Sequence, residues 1–154
     1  MIYSCEVCFH ELPEKDAVCP DCGKMLFKHK NIFSGKVSGE RSVKLMCSDM
    51  FVTENRVAAF DSTGRMYANL GGMAGQLAYS SQKKQFVFNM TWDDVEKVVW
   101  PLKEKYGPFF NNAHGESGML IVLKNGDRFA LRGSKKITPQ LVDFFRNHNI
   151  TVEQ

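Results

Sequence analysis

Short apolar, β-branched and aromatic runs separated by turn residues dominate the chain. Met50-Phe51-Val52-Thr53 and Arg56-Val57-Ala58-Ala59-Phe60 flank Glu54-Asn55, which predicts a tight hairpin, and Asp61-Ser62-Thr63-Gly64 closes its second arm. Gln85-Phe86-Val87-Phe88-Asn89-Met90 alternates as a strand does, and Thr91-Trp92-Asp93-Asp94 marks a turn with Thr91 as a cap. Residues 95–102 continue extended as far as Pro101, and residues 103–117 read as a looser connection. Residues 119–124 and 127–132 then flank Asn125-Gly126, the strongest short hairpin signal in the chain. With those two residues as the turn, Val122 faces Phe129 and Leu120 faces Leu131, while Ile121 faces Ala130 and Leu123 faces Arg128. The strand of residues 119–123 is apolar on both faces, so both need a cover: the last helix, the amino-terminal segment or a second copy of the chain.

The period changes at the end. Thr138-Pro139 reads as a cap residue followed by the first helical position. Leu141, Val142, Phe144 and Phe145 then form a helical stripe that stops near His148 and Asn149. The pattern predicts a mainly β protein closed by one carboxyl-terminal amphipathic helix.

Composition adds exclusions. Of 154 residues, 44% are hydrophobic and 24% charged, with 12 Gly and 5 Pro, which excludes disordered and collagen-like classes. Net charge is only +3, and four thiolates with one Zn²⁺ would lower it to about +1, too little to indicate nucleic acid or an acidic membrane by bulk charge. No signal-like segment opens the sequence, and the longest charge-free stretch, residues 66–82, is diluted by glycine and polar residues. A cytoplasmic protein is expected.

Cysteine spacing carries the sharpest chemistry. Cys5-Glu6-Val7-Cys8 and Cys19-Pro20-Asp21-Cys22-Gly23 are separated by a ten-residue polar spacer. Two such pairs supply four soft ligands suited to tetrahedral Zn²⁺, and Gly23 permits the positive φ that such a turn often needs. A redox dithiol is the plainer alternative and iron the rival metal; the short spacer favours zinc. Four cysteines, Cys5, Cys8, Cys19 and Cys22, would fill the coordination shell, which makes the ion structural, and below about 40 residues a module needs such a staple to fold. His10 reads as a surface residue rather than a ligand, and Cys47 as a small core hydrophobe. With Lys28-His29-Lys30-Asn31 as linker, the expected division is a metal module at residues 1–30 and a second domain at residues 31–154. No internal repeat is present.

The first 28 residues resemble the short zinc ribbons at the start of many prokaryotic proteins. Met50-Phe51-Val52-Thr53-Glu54-Asn55-Arg56-Val57, the glycine-rich Leu70-Gly71-Gly72-Met73-Ala74-Gly75, Trp92-Asp93-Asp94-Val95, Lys124-Asn125-Gly126-Asp127 and the final helix follow in the order of the pleckstrin-homology-like (PH-like) domains of the GRAM and bacterial type. That resemblance spans residues 35–150 and implies two packed antiparallel sheets, a sandwich or partly open barrel, capped at one end by the helix. The dense basic signature of phosphoinositide-binding members is missing from the first hairpin, where only Lys36, Arg41 and Lys44 stand, widely spaced.

Function follows by weighing sites. His114-Gly115-Glu116-Ser117-Gly118 has its second glycine one residue too early for a nucleophile elbow, and Gly71-Gly72-Met73-Ala74-Gly75 lacks the ending of a phosphate loop. A non-enzyme is expected. An acidic amino-terminal segment, with Glu6, Glu11, Glu14, Asp16 and Asp21 against Lys15, Lys24, Lys28 and Lys30, argues against nucleic acid. The expectation is an interaction or adaptor module that binds a protein partner or a second copy of itself. The alternatives are a nucleic-acid-associated zinc protein and a peripheral module touching anionic lipid through Lys83-Lys84, Arg128, Arg132, Lys135 and Lys136.

Overall fold

A computed structural model describes residues 3–63 and 85–154. The strands among them are β1 (Tyr3–Ser4), β2 (Glu11–Leu12), β3 (Met25–Lys36), β4 (Met46–Thr53), β5 (Arg56–Asp61), β6 (Phe86–Thr91), β7 (Val95–Val99), β8 (Leu102–Tyr106), β9 (Ala113–Gly115), β10 (Gly118–Leu123), β11 (Arg128–Arg132) and β12 (Thr151–Glu153). Helix α1 (Ile137–Asn147) precedes β12. The protein is mainly β, as its pattern predicts. No helix of the described residues is long and apolar enough to cross a membrane. The glycine-rich segment of residues 70–75 and Lys83-Lys84 lie outside the described residues.

Eight strands form one open sheet in the order β12-β7-β10-β11-β3-β4-β5-β6. Flat, four strand spacings would separate β11 from β6 by roughly 19 Å. Yet the rings of Phe88 on β6 and Phe129 on β11 lie 5.3 Å apart. The sheet therefore curls, and its inner face makes the main core with Met50, Val57, Val98, Ile121 and Leu131. Helix α1 fills that core with Leu141, Val142 and Phe145.

Two outer faces of the sheet are also covered. The cysteine segment packs on Phe51, Ala58 and Phe60 of β4 and β5. On the other half, the β8–β9 hairpin and residues 37–45 cover Leu120 and Ala130 through Leu102, Ala113, Val37, Val43 and Leu45. The strand read as apolar on both faces is thus buried on both, within one chain: Ile121 under α1, Leu120 under the β8–β9 hairpin.

Several expectations are corrected. The Glu54-Asn55 turn has the expected two residues, with Val52 opposite Val57. The Asn125-Gly126 hairpin does not. Ile121 pairs with Phe129 and Leu120 with Ala130, one residue off the expected register. Its loop has three residues, because Leu123 N–H donates to Asp127 O while Gly126 takes φ +95°. Asn125 Oδ1 accepts the Asp127 N–H at 2.9 Å, which stabilises this wider turn. The stretch 28–31 is not a linker: it lies inside β3, where the register shifts between His29 and Ile32 and Asn31 adopts φ +63°. The expected boundary between residues 30 and 31 therefore falls within a strand. Residues 103–117 hold the β8–β9 hairpin rather than a loose connection.

Helix α1 also begins earlier than Thr138. Ser134 Oγ accepts the Lys136 and Ile137 N–H groups, at 3.3 and 3.0 Å, and does the capping. Thr138 is buried and spends its hydroxyl on Ser117 O, tying the helix to the turn before β10. After α1 the chain adds β12, parallel to β7, an element the helical period gave no sign of.

Candidate metal centre

Cys5, Cys8, Cys19 and Cys22 converge so that their sulfurs all lie within 4.8 Å of one another. Each pair sits in a tight turn. Phe9 N–H donates to Cys5 O at 3.0 Å, and Gly23 N–H donates to Cys19 O at 2.9 Å. The residue after each second cysteine is left-handed, Phe9 at φ +62° and Gly23 at φ +79°. Within the turns, Val7 N–H points at Cys5 Sγ and Cys22 N–H at Cys19 Sγ, both at 3.4 Å. The two units are thus built alike, and the equivalence of Phe9 with Gly23 was readable from their common place after Cys-x-x-Cys.

These sulfurs suit a metal ion. Tetrahedral M–S bonds of about 2.3 Å place sulfurs about 3.8 Å apart, close to the observed cluster. Cys8 and Cys19 already stand 3.5 Å apart. Electrostatics point the same way. Burial pushes the Cys22 thiol far up, reinforced by the neighbouring Cys8 and Cys5 sulfurs, and burial also raises Cys8. Cys19 is held low: burial opposes this, but the N–H groups of Cys22 and Asp21 favour its thiolate. The raised Cys8 and Cys22 thiols are ones that a bound divalent cation would favour as thiolates.

The sheet holds both turns. Asn55 N–H donates to Cys22 O at 3.0 Å and Asn55 Nδ2 to Asp21 O at 3.0 Å. Glu54 brackets Lys24, donating its N–H to Lys24 O and accepting Lys24 N–H on Oε1 at 2.6 Å. Asn89 Nδ2 donates to Val7 O at 3.1 Å and is itself held by Arg56. Glu54, Asn55 and Asn89 support the cysteine turns, a role that no sequence pattern marked even where Glu54-Asn55 read as a turn, since only tertiary pairing brings them there. Phe9 packs its ring on Phe60 and Phe86, 5.9 Å from each.

The remaining sequence candidates stand apart. His10 is exposed, with Nδ1 3.2 Å from an Asp21 carboxylate oxygen, and does not join the sulfurs. Cys47 is buried on β4, where its thiol reaches Asn31 Oδ1 at 3.5 Å and accepts from Ser62. Among the described residues, the four-cysteine set is the metal-type cluster. No protein-family model matches the chain, and no curated protein matches it.

Proposed function

We propose that the chain is a non-catalytic interaction module: a PH-like sheet-and-helix body stiffened at one side by a structural zinc ribbon. The observation that carries this reading is that four cysteines converge on one point while their turns are bonded to the β4–β5 turn. Four thiolates complete a tetrahedral shell, so an ion bound there has no open position for water or substrate and serves to hold the turns on the sheet. Zinc fits the all-sulfur set and the short spacer.

The PH-like reading is supported by topology. Seven strands, β7-β10-β11-β3-β4-β5-β6, are neighbours in antiparallel pairs, and the helix that follows β11 packs into the curled inner face. Such a body presents its loops to a partner without needing a catalytic cluster.

Cobalt(II) substitution tests the reading. The cobalt protein should show the visible spectrum of a four-thiolate tetrahedral site, unchanged by azide or cyanide. A spectrum that shifts on adding either anion would reveal an open coordination position and overturn the structural role.

A further inference from the structure

The β8–β9 hairpin ends in a tip, residues 107–112, that carries Phe109 at 76% and Phe110 at 92% exposure. The two rings pack edge to face, 5.1 Å apart, and among the described residues no other ring touches them. Among the described residues, Phe9 at 51% is the next most exposed phenylalanine, and it packs on Phe60 and Phe86, whereas Phe109 and Phe110 stand clear of the core clusters.

The loop beneath the rings is pinned rather than loose. Gly107 N–H donates to Arg41 O at 2.9 Å, Asn111 Nδ2 to Leu45 O at 3.1 Å, and Arg132 to Asn112 O at 3.2 Å. At the tip itself, Phe109 O accepts from Asn112 Nδ2 at 2.8 Å and Pro108 O accepts from Asn111 N–H at 3.3 Å. Proline supplies no N–H of its own. The Pro108 and Phe109 carbonyls, satisfied in this way, leave water at lower cost than free ones would.

Basic residues stand on the elements that carry and hold the tip. Lys105 Nζ lies 5.4 Å from the Phe109 ring, and Lys103 is exposed on the same strand. Lys44 is exposed on the segment that holds the loop. The nearby Glu104 is neutralised by Arg41.

We propose that this tip is a membrane anchor: Phe109 and Phe110 enter the boundary between headgroups and acyl chains of an anionic bilayer, with Lys44, Lys103 and Lys105 at headgroup level. It rests on the interaction-module reading and names its partner. A protruding pair of rings needs a concave pocket on a protein partner, whereas a bilayer accepts any apolar tip of this size. Basic residues at the membrane surface add to the attraction of the rings, and their contribution falls with salt.

The test uses the whole zinc-loaded chain with phosphatidylcholine vesicles, with and without phosphatidylserine. The wild type should co-sediment with the anionic vesicles, less so as salt rises. The double variant F109S/F110S should bind at least about tenfold more weakly, with zinc content and circular dichroism unchanged. Phe110→Trp keeps a ring at the tip and reads insertion directly. Its added emission should shift to the blue on anionic vesicles and be quenched by brominated acyl chains, above the background from Trp92 and Trp100. Wild type that stays in the supernatant, a double variant that binds as well as wild type, or a Phe110→Trp signal untouched by brominated lipid would each overturn the proposal. So would self-association in the absence of lipid that F109S/F110S abolishes, which would assign the tip to a second copy. Cobalt spectra report on the metal site independently, so failure of the anchor leaves the structural-zinc reading separately measured.

Discussion

His148 lies flat on Trp92, ring centroids 3.8 Å apart and planes 12° from parallel, and both rings direct a nitrogen at the carbonyl oxygen of Glu54. Trp92 Nε1 donates to it at 3.0 Å, and His148 Nε2 lies 3.3 Å from it, while His148 Nδ1 is 2.8 Å from Phe144 O. Glu54 is also the residue that brackets Lys24 beside the second cysteine pair. One turn thus joins the helix end, the β6–β7 corner and the candidate metal centre. His148→Ala should lower stability by about 1–2 kcal/mol, the sum of a stacked ring pair and a hydrogen bond. Denaturant unfolding would measure it, and an unchanged midpoint would show that the stack contributes nothing.

Gly23 is constrained twice. Its φ is +79°, and a Cβ built there would sit 2.8 Å from Glu54 Cβ. Gly23→Ala should cost at least about 1–2 kcal/mol in backbone strain. It should also loosen the metal turn, so zinc should pass to a competing chelator faster than from wild type. Equal retention would mean that the turn relaxes without cost.

Removing the metal should act locally. Cys8→Ser, or chelation, should abolish stoichiometric zinc and expose Phe51 and Phe60, which share an apolar cluster with the cysteines. The main core contains none of the four cysteines, so a cooperative unfolding transition should remain. Cys47→Ser, outside the cluster, should keep one zinc per chain. Metal analysis of the three proteins checks this, and purified wild type without stoichiometric metal would refute the site.

The two phenylalanines of α1 should separate. Phe145 is fully buried in the main core, and truncation to Ala should cost about 3–5 kcal/mol. Phe144 is half-buried against Phe27, 5.7 Å between rings, and its truncation should cost roughly 1–2 kcal/mol. Thermal melts of both variants decide it; equal losses would contradict the placement of the helix.

Ile121 has no exposure and is covered by α1 from the same chain. Ile121→Asp would bury an unpaired charge and should destabilise the fold by more than about 4 kcal/mol. Recovery of a well-folded, soluble variant would show instead that this strip faces solvent or a second copy.

What the sequence determined by itself is local. Cys-x-x-Cys spacing sets the reach of each sulfur pair, so the four-cysteine cluster was legible before any contact was known. The Glu54-Asn55 turn and the stripe of Leu141, Val142 and Phe145 were legible for the same reason, since neighbours within a few residues decide them. Tertiary structure decided the rest. Asn-Gly serves both two- and three-residue loops, and only pairing with Leu123 and Asp127 selected the longer one. Strict alternation puts Phe86, Phe88 and Met90 on one face, but the register shift between Ala59 and Phe60 places Phe86 on the outer face under the cysteines. β12 exists because the open edge of β7 offers Val152 a partner in Val98, a contact between residues 54 positions apart that no local pattern encodes. Ladder bonds between distant strands are made only once the sheet curls, so the cover of each face, unlike the pairing of the cysteines, waits for the whole chain.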